Sequence, residues 1–589
     1  VCGLLIITFL WYPTSKKRFS RHNPSVLDWV MILAALFCLF WTLLNHNRFL
    51  LRIPFSSEIL PIDTIVTIIL VALIMEAGRR TLGITITIVS GFFIFYAFMG
   101  PYFPAMLSYK GLTLNKFVDQ IYLTTEGIFG SLTGMVATLL FSFIAFGSML
   151  QATGADKHFI NICLAIAGKK PGGPAKVAVL SSAAMGTISG SGIANAVTTG
   201  TLTIPLMKKT GYTAEEAAAV ETAASCGGII MPPIMGTGVF ILADTVGIPY
   251  ASVAFLSIIP ALLYYASIYF LVDIKAKKRN LQGLSDSDIP LVRQTLREGG
   301  IFFLPIIILI ILLALQFTPF LSGVGCSLLI LLIAQVRKST RISLKQIIYA
   351  FEACAKSMTS IANVICCASI IVAMINITGL MMKTTAVILS LSGGVLWIMV
   401  LLIAIVAYIL GMGLPVVPCY VIISALSAPA MAALSVDLLS THLAIYWFTQ
   451  LSSITPPVCI VAYAAAAVAK ANPMKTGFLA LVYGAPFYYI PVLFIFSDLL
   501  NGSWLIQMQI ACIAFVAIYF LNTFIIGYFI SDMNWVLRFG GLAIFLLLYS
   551  AMFRAVSLPV SYAAGAIAVG LMVILYITQS RKKKIGLNP

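Results

Sequence analysis

The sequence predicts an all-α polytopic membrane protein, with about 15 membrane crossings and two re-entrant helical hairpins in an inverted-topology repeat. Three observations support this fold class. The 589 residues have a mean hydropathy of +1.04 and only 9% charged side chains, far fewer than a soluble surface requires. Apolar runs of about 20 residues, the length that crosses a bilayer, recur along the chain. Breaks rich in Gly, Ser and Pro interrupt further apolar segments in matching pairs.

Uninterrupted apolar runs predict the simple membrane helices. They occupy 29–44, 59–77, 83–107, 127–150, 251–274, 299–317, 319–336 and 557–577. The chain opens at Val1 on about a dozen apolar residues, which predicts a first helix whose beginning precedes Val1. The interrupted segments lie between these runs and need a separate explanation.

Five regions are expected along the chain. They are a four-helix scaffold region at 1–110, a first repeat at 111–274, a cytoplasmic connector with scaffold helices at 275–352, a second repeat at 353–499, and additional C-terminal helices with a basic cytoplasmic tail at 500–589. Each repeat is predicted to contain one hairpin followed by one broken helix.

The net charge of +17 gives the orientation of the chain. If the apolar segments cross in alternation, all but six of the 36 Lys and Arg residues fall on one side, which the positive-inside rule assigns to the cytoplasm. The C-terminus is then expected to lie in the cytoplasm. The basic clusters are short connectors between apolar runs, so no nucleic-acid partner is expected. They include Lys16-Lys17-Arg18, Arg79-Arg80, Lys169-Lys170, Lys208-Lys209, Arg337-Lys338 and 581–584, while the six residues opposite are Arg48, Arg52, Lys110, Lys116, Lys383 and Arg554.

The backbone breaks recur as an internal repeat. The stretch GTISGSGIANAV at 186–197 is followed by ASCGGIIMPP at 224–233, and downstream GMGLP at 411–415 is followed by SSITPP at 452–457. The two Pro-Pro steps are 224 residues apart. Other landmarks recur at an offset of 225, namely Ala152-Thr153-Gly154 with Ile377-Thr378-Gly379, and Gly168 with Gly393. A near-constant offset over several landmarks indicates two copies of one unit.

Charge predicts that the two copies have opposite orientation. The first hairpin, at about 172–208, is flanked by lysine pairs and therefore enters from the cytoplasm, whereas the second, at about 395–434, has no basic flank. Broken helices are expected at about 215–245 and 440–469. Non-helical backbone at membrane depth occurs where protein or a wet cavity surrounds it, and paired breaks of this kind indicate a transporter's binding site.

The predicted site contains hydroxyls, one amide and free backbone groups. Its residues are Ser189, Gly190, Ser191, Gly192, Asn195, Ser225, Cys226, Gly227, Gly228, Pro232, Gly411, Gly413, Leu414, Pro415, Ser452, Ser453, Thr455 and Pro456. Helix N-termini favour an anion, and hydroxyl and carbonyl oxygens suit a small hard cation, so an organic anion with Na⁺ fits this set. Two carboxylates in the first broken helix, Glu221 and Asp244, are candidates for proton coupling.

Other functional classes lack support in the sequence. The eleven cysteines form no CxxC pair, the four histidines form no metal-ligand cluster, and no Walker A motif occurs. No cofactor is expected. A membrane enzyme would need convergent catalytic groups, which the sequence does not offer, so the energy for transport is expected from an ion gradient.

Four stretches resemble the permeases of TRAP (tripartite ATP-independent periplasmic) transporters, in the TAXI branch with fused small and large membrane subunits. They are GPAKVAVLSSAAMGTISGSGIANAVTTGTLTIPLMKKTGY, AAVETAASCGGIIMPPIMG, GMGLP and SSITPPVCIVAYAAAAVAKANPMKTG, and the resemblance runs from about Ile59 to Leu499. It implies Na⁺-driven uptake of organic anions delivered by a periplasmic binding protein, with an elevator motion of a hairpin-bearing domain. It also implies that the membrane is a bacterial inner membrane and that the four leading helices correspond to the small subunit.

The resemblance implies two ion sites, one made by 189–192 with 225–228 and the other by 411–415 with 452–456. This sequence departs from the family pattern at two places. Val416-Val417 follow the GLP motif where Thr-Thr is common, and Cys226 stands where Thr is common, so two positions lack hydroxyl oxygens. Proton coupling, and a stand-alone ion/dicarboxylate carrier without a binding protein, stay open as alternatives.

Overall fold

Helices dominate the fold. The computed structural model describes residues 1–13, 24–336 and 341–584, and in these ranges it has no β-strand, only one isolated bridge between Tyr528 and Asp532. Eleven of the described helices are long and apolar enough to cross a membrane. The predicted all-helical, polytopic membrane class is therefore confirmed, whereas the number of crossings stays a prediction. The basic runs at 16–18 and 337–338 lie outside the described residues.

The described part of the leading region contains five helices, of which the first, fourth and fifth pack on the second repeat. They are α1 (Cys2–Trp11), α2 (Val26–Leu44), α3 (His46–Leu51), α4 (Pro61–Leu82) and α5 (Ile84–Phe98). Helix α2 begins in a capping box, because Ser25 and Asp28 satisfy each other's backbone N–H groups. Asp28 also accepts from Arg80 of α4 at 2.6 Å, and both side chains are almost fully buried. This ion pair joins α2 to α4.

The first repeat contains a helical hairpin and an interrupted helix. Its helices are α6 (Leu114–Val118), α7 (Ser131–Met135), α8 (Phe141–Ala152), α9 (Ala155–Ala167), α10 (Gly173–Ser189), α11 (Gly192–Lys209), α12 (Ala214–Gly227), α13 (Gly238–Val246) and α14 (Tyr250–Lys278). Helices α10 and α11 pack side by side as hairpin 1. The interruption between α12 and α13 contains the first Pro-Pro step, whose peptide bond is cis.

The connector leads from the first repeat to two further apolar helices. After a coil at 280–291 come α15 (Val292–Gly299), α16 (Phe303–Ala314) and α17 (Pro319–Val336). The coil packs against the start of hairpin 1, since the N–H of Gly172, the residue that caps α10, donates to Leu281 O at 3.3 Å. Lys209 at the end of α11 reaches Asp288 at 2.9 Å. The connector therefore covers the lysine-flanked end of hairpin 1.

The second repeat has the same order of elements. Its helices are α18 (Leu344–Thr378), α19 (Leu380–Ser392), α20 (Leu396–Gly411), α21 (Val416–Ala433), α22 (Leu438–Thr449), α23 (Ile460–Ala469), α24 (Pro473–Tyr483) and α25 (Pro486–Phe496), with α20 and α21 forming hairpin 2. Equivalent backbone contacts occur in both copies. A Cβ at Gly186 would lie 2.4 Å from Gly228 Cα, and a Cβ at Gly411, 225 residues later, would lie 3.0 Å from Ser452 Cβ. In each copy a hairpin glycine lets the broken helix approach.

Three C-terminal helices pack outside the repeats. They are α26 (Trp504–Ile526), α27 (Trp535–Ser550) and α28 (Leu558–Lys584). Asn522 of α26 donates 2.9 Å to the carbonyl of Ser267 in α14, and Tyr549 of α27 donates 2.5 Å to the carbonyl of Tyr489 in α25. These two bonds fix the C-terminal helices to the last helix of each repeat.

Candidate functional site

The tip of hairpin 1 depends on one glycine. Helix α10 ends at Ser189, and Gly190 turns the chain with φ +56°, in the left-handed region that favours glycine. A Cβ there would lie 2.0 Å from the carbonyl oxygen of Met235, so the tip touches the broken segment through its backbone. Ser191 then starts α11 as its N-cap, with Oγ accepting from Ala194 N at 3.3 Å. Its hydroxyl therefore has a structural role in addition to any role in binding.

The tip of hairpin 2 is built differently. Helix α20 ends at Gly411, and Pro415 precedes the first residue of α21 with φ −60°, the value its ring imposes. Pro415 lies 224 residues after Ser191, the same offset as that between the two Pro-Pro steps, and unlike Ser191 it offers no hydroxyl. The two tips are thus equivalent in position and different in chemistry.

Both tips reach one cavity of about 210 Å³ between the broken segments. Seven of the residues predicted from the sequence line it, namely Ser189, Gly190, Ser191, Gly192, Pro415, Ser452 and Ser453. Phe143 of α8 and Val364 of α18 close another side with apolar surface. No Lys or Arg lines the cavity in the described part of the chain. The walls are mostly apolar, and their hydroxyl groups come from the tip of hairpin 1, from the two breaks and from one tyrosine.

Four helices begin at this cavity. The first residues of α11, α13, α21 and α23, which are Gly192, Gly238, Val416 and Ile460, all line it. The N–H groups of a first helical turn lack helical partners, and the helix dipole adds positive potential there. Four convergent N-termini favour a negatively charged ligand without any cationic side chain.

Several buried oxygens near the cavity lack hydrogen-bond partners among the described residues. They are Asn195 Oδ1, Ser452 Oγ, Thr455 Oγ1 and Gln450 Oε1. Asn195 uses its Nδ2 to donate 2.9 Å to the carbonyl of Ser182, which leaves Oδ1 free to accept. An unpaired polar atom in a protein interior is costly, and hard cations bind oxygens of these types. The oxygens therefore fit a cation such as Na⁺, in the neighbourhood of both breaks.

Glu221 lies in a cage of hydroxyl groups. Its side chain is fully buried on α12, and it accepts from Ser182 at 3.0 Å, Ser225 at 3.1 Å, Thr203 at 2.5 Å and Thr199. Both threonine hydroxyls have a second acceptor in a helix carbonyl. Since each hydroxyl has one proton, the cage can donate to a carboxylate or accept from a protonated carboxyl. The Glu221 side chain is therefore chemically able to hold or release a proton.

Other predicted residues lie away from the cavity lining. Asp244 is exposed and lines a second cavity, which His442 also lines, while Pro232 lines a third, apolar one. The remaining predicted residues pack the breaks. Gly227 lies under Tyr264 and Tyr265, Gly228 beside Asn195, Gly413 beside Thr85 and Pro456 beside Gly477, whereas Cys226, Leu414 and Ser225 are buried.

Sequence reasoning missed a part of the lining. Met235, Gly236 and Thr237, between the first Pro-Pro step and α13, line the cavity, as does Tyr446 of α22. A Cβ at Gly236 would lie 2.7 Å from the Tyr446 hydroxyl, so glycine is needed where the copies meet. The MGTG string was a signal for this segment, whereas nothing in the sequence marks Tyr446 among the many tyrosines.

Comparison with known proteins identifies the family. The family model described as the DctM component of the tripartite ATP-independent periplasmic transporter matches residues 69–500, which include both hairpins and both breaks. The chain belongs to this family. The match begins inside α4 and ends before α26, so helices α1 to α3 and α26 to α28 lie outside it.

Individual relatives are transporter permeases. A putative TRAP transporter large permease of Haemophilus influenzae is 25% identical over 317 residues, covering 54% of this chain and 74% of that protein. The 2,3-diketo-L-gulonate TRAP transporter large permease of Escherichia coli is 25% identical over 334 residues, covering 56% and 76%. The C4-dicarboxylate TRAP transporter large permease of Vibrio cholerae is 29% identical over 157 residues, covering 26% and 34%. The chain is accordingly a multi-pass transport permease and no enzyme.

Proposed function

We propose that this permease imports a small organic anion, delivered by a periplasmic binding protein and driven by a Na⁺ gradient. The observation that carries the proposal is the convergence of four helix N-termini on one cavity between two hairpin tips. A carboxylate group would meet backbone N–H groups and hydroxyls there, and apolar walls would contact the rest of the molecule. The dicarboxylate and sugar-acid names of two relatives agree with this substrate class.

Na⁺ as the coupling ion is supported by the unpaired oxygens. Ser452 Oγ and Thr455 Oγ1 are buried beside the second break, and Asn195 Oδ1 lies beside the first. Na⁺ held by these oxygens and by free carbonyls would place positive charge next to the anion. Binding of each would then favour binding of the other.

The caged Glu221 supports a second candidate, which is proton coupling in the same transporter. Glu221→Gln keeps the size and hydrogen bonding of the side chain and removes its ability to titrate. Uptake into liposomes would be measured under separate Na⁺ and H⁺ gradients. Na⁺ coupling predicts that the variant keeps uptake driven by Na⁺ alone. Loss of all uptake, with no Na⁺ dependence in the wild type, would assign coupling to protons.

We further propose an elevator mechanism with a fused small subunit of the TAXI type. The two hairpins and broken helices would move as one body against α4, α5, α8 and α18, and the leading helices would replace a separate small subunit. Their position supports this, since Asn363 of α18 donates 2.9 Å to Thr8 of α1 in a buried contact. Uptake by the purified chain should then need the loaded binding protein but no second membrane subunit. Robust uptake without the binding protein would favour a stand-alone carrier.

The inverted topology can be tested by labelling. Single cysteines at Lys169 and Lys208 should react with an impermeant maleimide from the cytoplasm, and those at Gly394 and Asp437 from the periplasm. A cytoplasmic C-terminus is proposed on the same charge argument. Labelling of both pairs from one side would contradict opposite orientations of the repeats.

A further inference from the structure

An apolar groove of about 390 Å³ runs along hairpin 2. Its walls come from Ile388 of α19, from Leu402, Val406 and Leu410 of α20, and from Ile423 of α21. Leu107, in the loop after α5, closes one end. From Leu402 to Leu410 the groove follows α20 for about 12 Å, close to the depth of one hydrocarbon leaflet.

The equivalent place in the first repeat is filled by protein. Cys163 of α9 and Val177 of α10 correspond, at the offset of 225, to the groove residues Ile388 and Leu402. Both pack in a buried cluster with Leu284 of the connector, and Ile289 packs against it. The connector's own apolar side chains therefore occupy the position between α9 and hairpin 1.

The second repeat has no such segment in the described part of the chain. The residues that follow it enter α26, whose Phe515 and Tyr519 pack against Phe270 of α14 instead. The groove along hairpin 2 is thus the counterpart of a filled site, and its walls offer an occupant nothing but apolar contacts.

Two lysines lie at the Leu107 end of this groove. Lys383 donates to the carbonyl of Ser108, next to Leu107, and lies 5.5 Å from the ring of Tyr109. Lys110, two residues after Ser108, is exposed. The three arginines predicted on this side pair with carboxylates: Arg48 with Asp63 at 2.5 Å, Arg52 with Asp119 at 2.7 Å and Arg554 with Asp498 at 2.5 Å. Among the described residues Lys383 has no carboxylate partner, so positive charge is available where an apolar chain would leave the groove.

We propose that this groove binds one glycerophospholipid, with an acyl chain between α19 and hairpin 2 and the phosphate beside Lys383 and Lys110. The acyl chain takes the place that Leu284 and Ile289 occupy in the first repeat. A lipid is the occupant because the groove combines apolar walls open to the bilayer with cations at one end only. The lipid would support the second hairpin as the connector supports the first.

Photo-crosslinking of the purified full chain tests this proposal. Phosphatidylglycerol with a diazirine in one acyl chain is added in detergent, and labelled peptides are identified by mass spectrometry. Labelling of α19 and α20 should saturate at about one lipid per chain. Diacylglycerol with the same diazirine chain should label them several-fold less. Equal labelling by both probes would refute the role of the phosphate.

Matched variants locate the lipid. Val406→Trp fills the groove and should lower labelling of the peptide that contains Ile388 at least fivefold. Ile405→Trp is the matched control and should not lower it, because Ile405 has the same exposed fraction as Val406, 45%, but lies outside the groove. Lys383→Gln should raise the half-saturating lipid concentration several-fold, and Lys116→Gln should not. Labelling that does not saturate in the wild type, and is unchanged by Val406→Trp, would show lipid in bulk contact only and overturn the proposal.

Discussion

Replacing Thr455 by Val tests whether its buried hydroxyl is an ion ligand. Thr455 Oγ1 is fully buried and has no partner among the described residues, and an unpaired buried hydroxyl costs about 1–3 kcal/mol. Val has nearly the same shape and no polar atom. In Na⁺-free buffer the variant should therefore be as stable as the wild type, or more stable by about 1 kcal/mol.

Added Na⁺ should make the wild type more stable than Thr455→Val. At a Na⁺ concentration about ten times its dissociation constant, binding to the native state adds about 1.4 kcal/mol of stability. The wild type should gain this amount, and Thr455→Val should gain much less because one ligand is missing. Thermal unfolding in NaCl and in choline chloride at equal ionic strength measures the difference, and Na⁺-dependent uptake should show a higher half-saturating concentration.

Thr449 of α22 provides the matched control. It is also fully buried, but its hydroxyl already donates 2.7 Å to the carbonyl of Tyr446. Thr449→Val should lower stability by about 1 kcal/mol in both salts and leave the Na⁺ effect intact. An undiminished Na⁺ effect in Thr455→Val, with unchanged half-saturation of uptake, would refute the assignment of this oxygen as a ligand.

Two further substitutions test the tip and the leading helices. Gly190→Ala should abolish most uptake, because Gly190 has a positive φ and the added Cβ would lie 2.0 Å from Met235 O. Gly247 is the control, since it also has a positive φ but no neighbour within 4 Å of an added Cβ. Gly247→Ala should lower stability by about 1 kcal/mol and preserve uptake. Equal uptake by the two variants would contradict the close tip contact. Thr8→Val removes the hydroxyl that accepts from the buried Asn363 amide and should lower the free energy of unfolding by about 1–3 kcal/mol. Thermal unfolding measures this loss. An unchanged melting temperature would show that α1 adds little to the scaffold.

The sequence predicts the positions of the breaks better than their chemistry. Gly190 and Pro415 mark the tips because backbone conformations of this kind need glycine or favour proline, which local sequence reveals. The cage around Glu221 could be predicted only in part. Its Ser225 contact follows from helical spacing, but Thr199 and Thr203 come from another helix and depend on how hairpin 1 packs on α12. Contacts between distant segments leave no local pattern in the chain.

The two repeats differ at the position of the carboxylate. At the 224-residue offset of the Pro-Pro steps, Glu221 corresponds to Ile445, so the second copy has no titratable group there. It has instead the hydroxyls of Ser452 and Thr455, which have no hydrogen-bond partner in the described part of the chain. Suppose that Na⁺ binds at the second break and that Glu221 acts independently at the first. The effects of Glu221→Gln and Thr455→Val on the free energy of Na⁺ binding should then add, within about 0.5 kcal/mol, in the double variant. A larger coupling would mean that the carboxylate and the hydroxyl belong to one linked ion-binding network across the cavity.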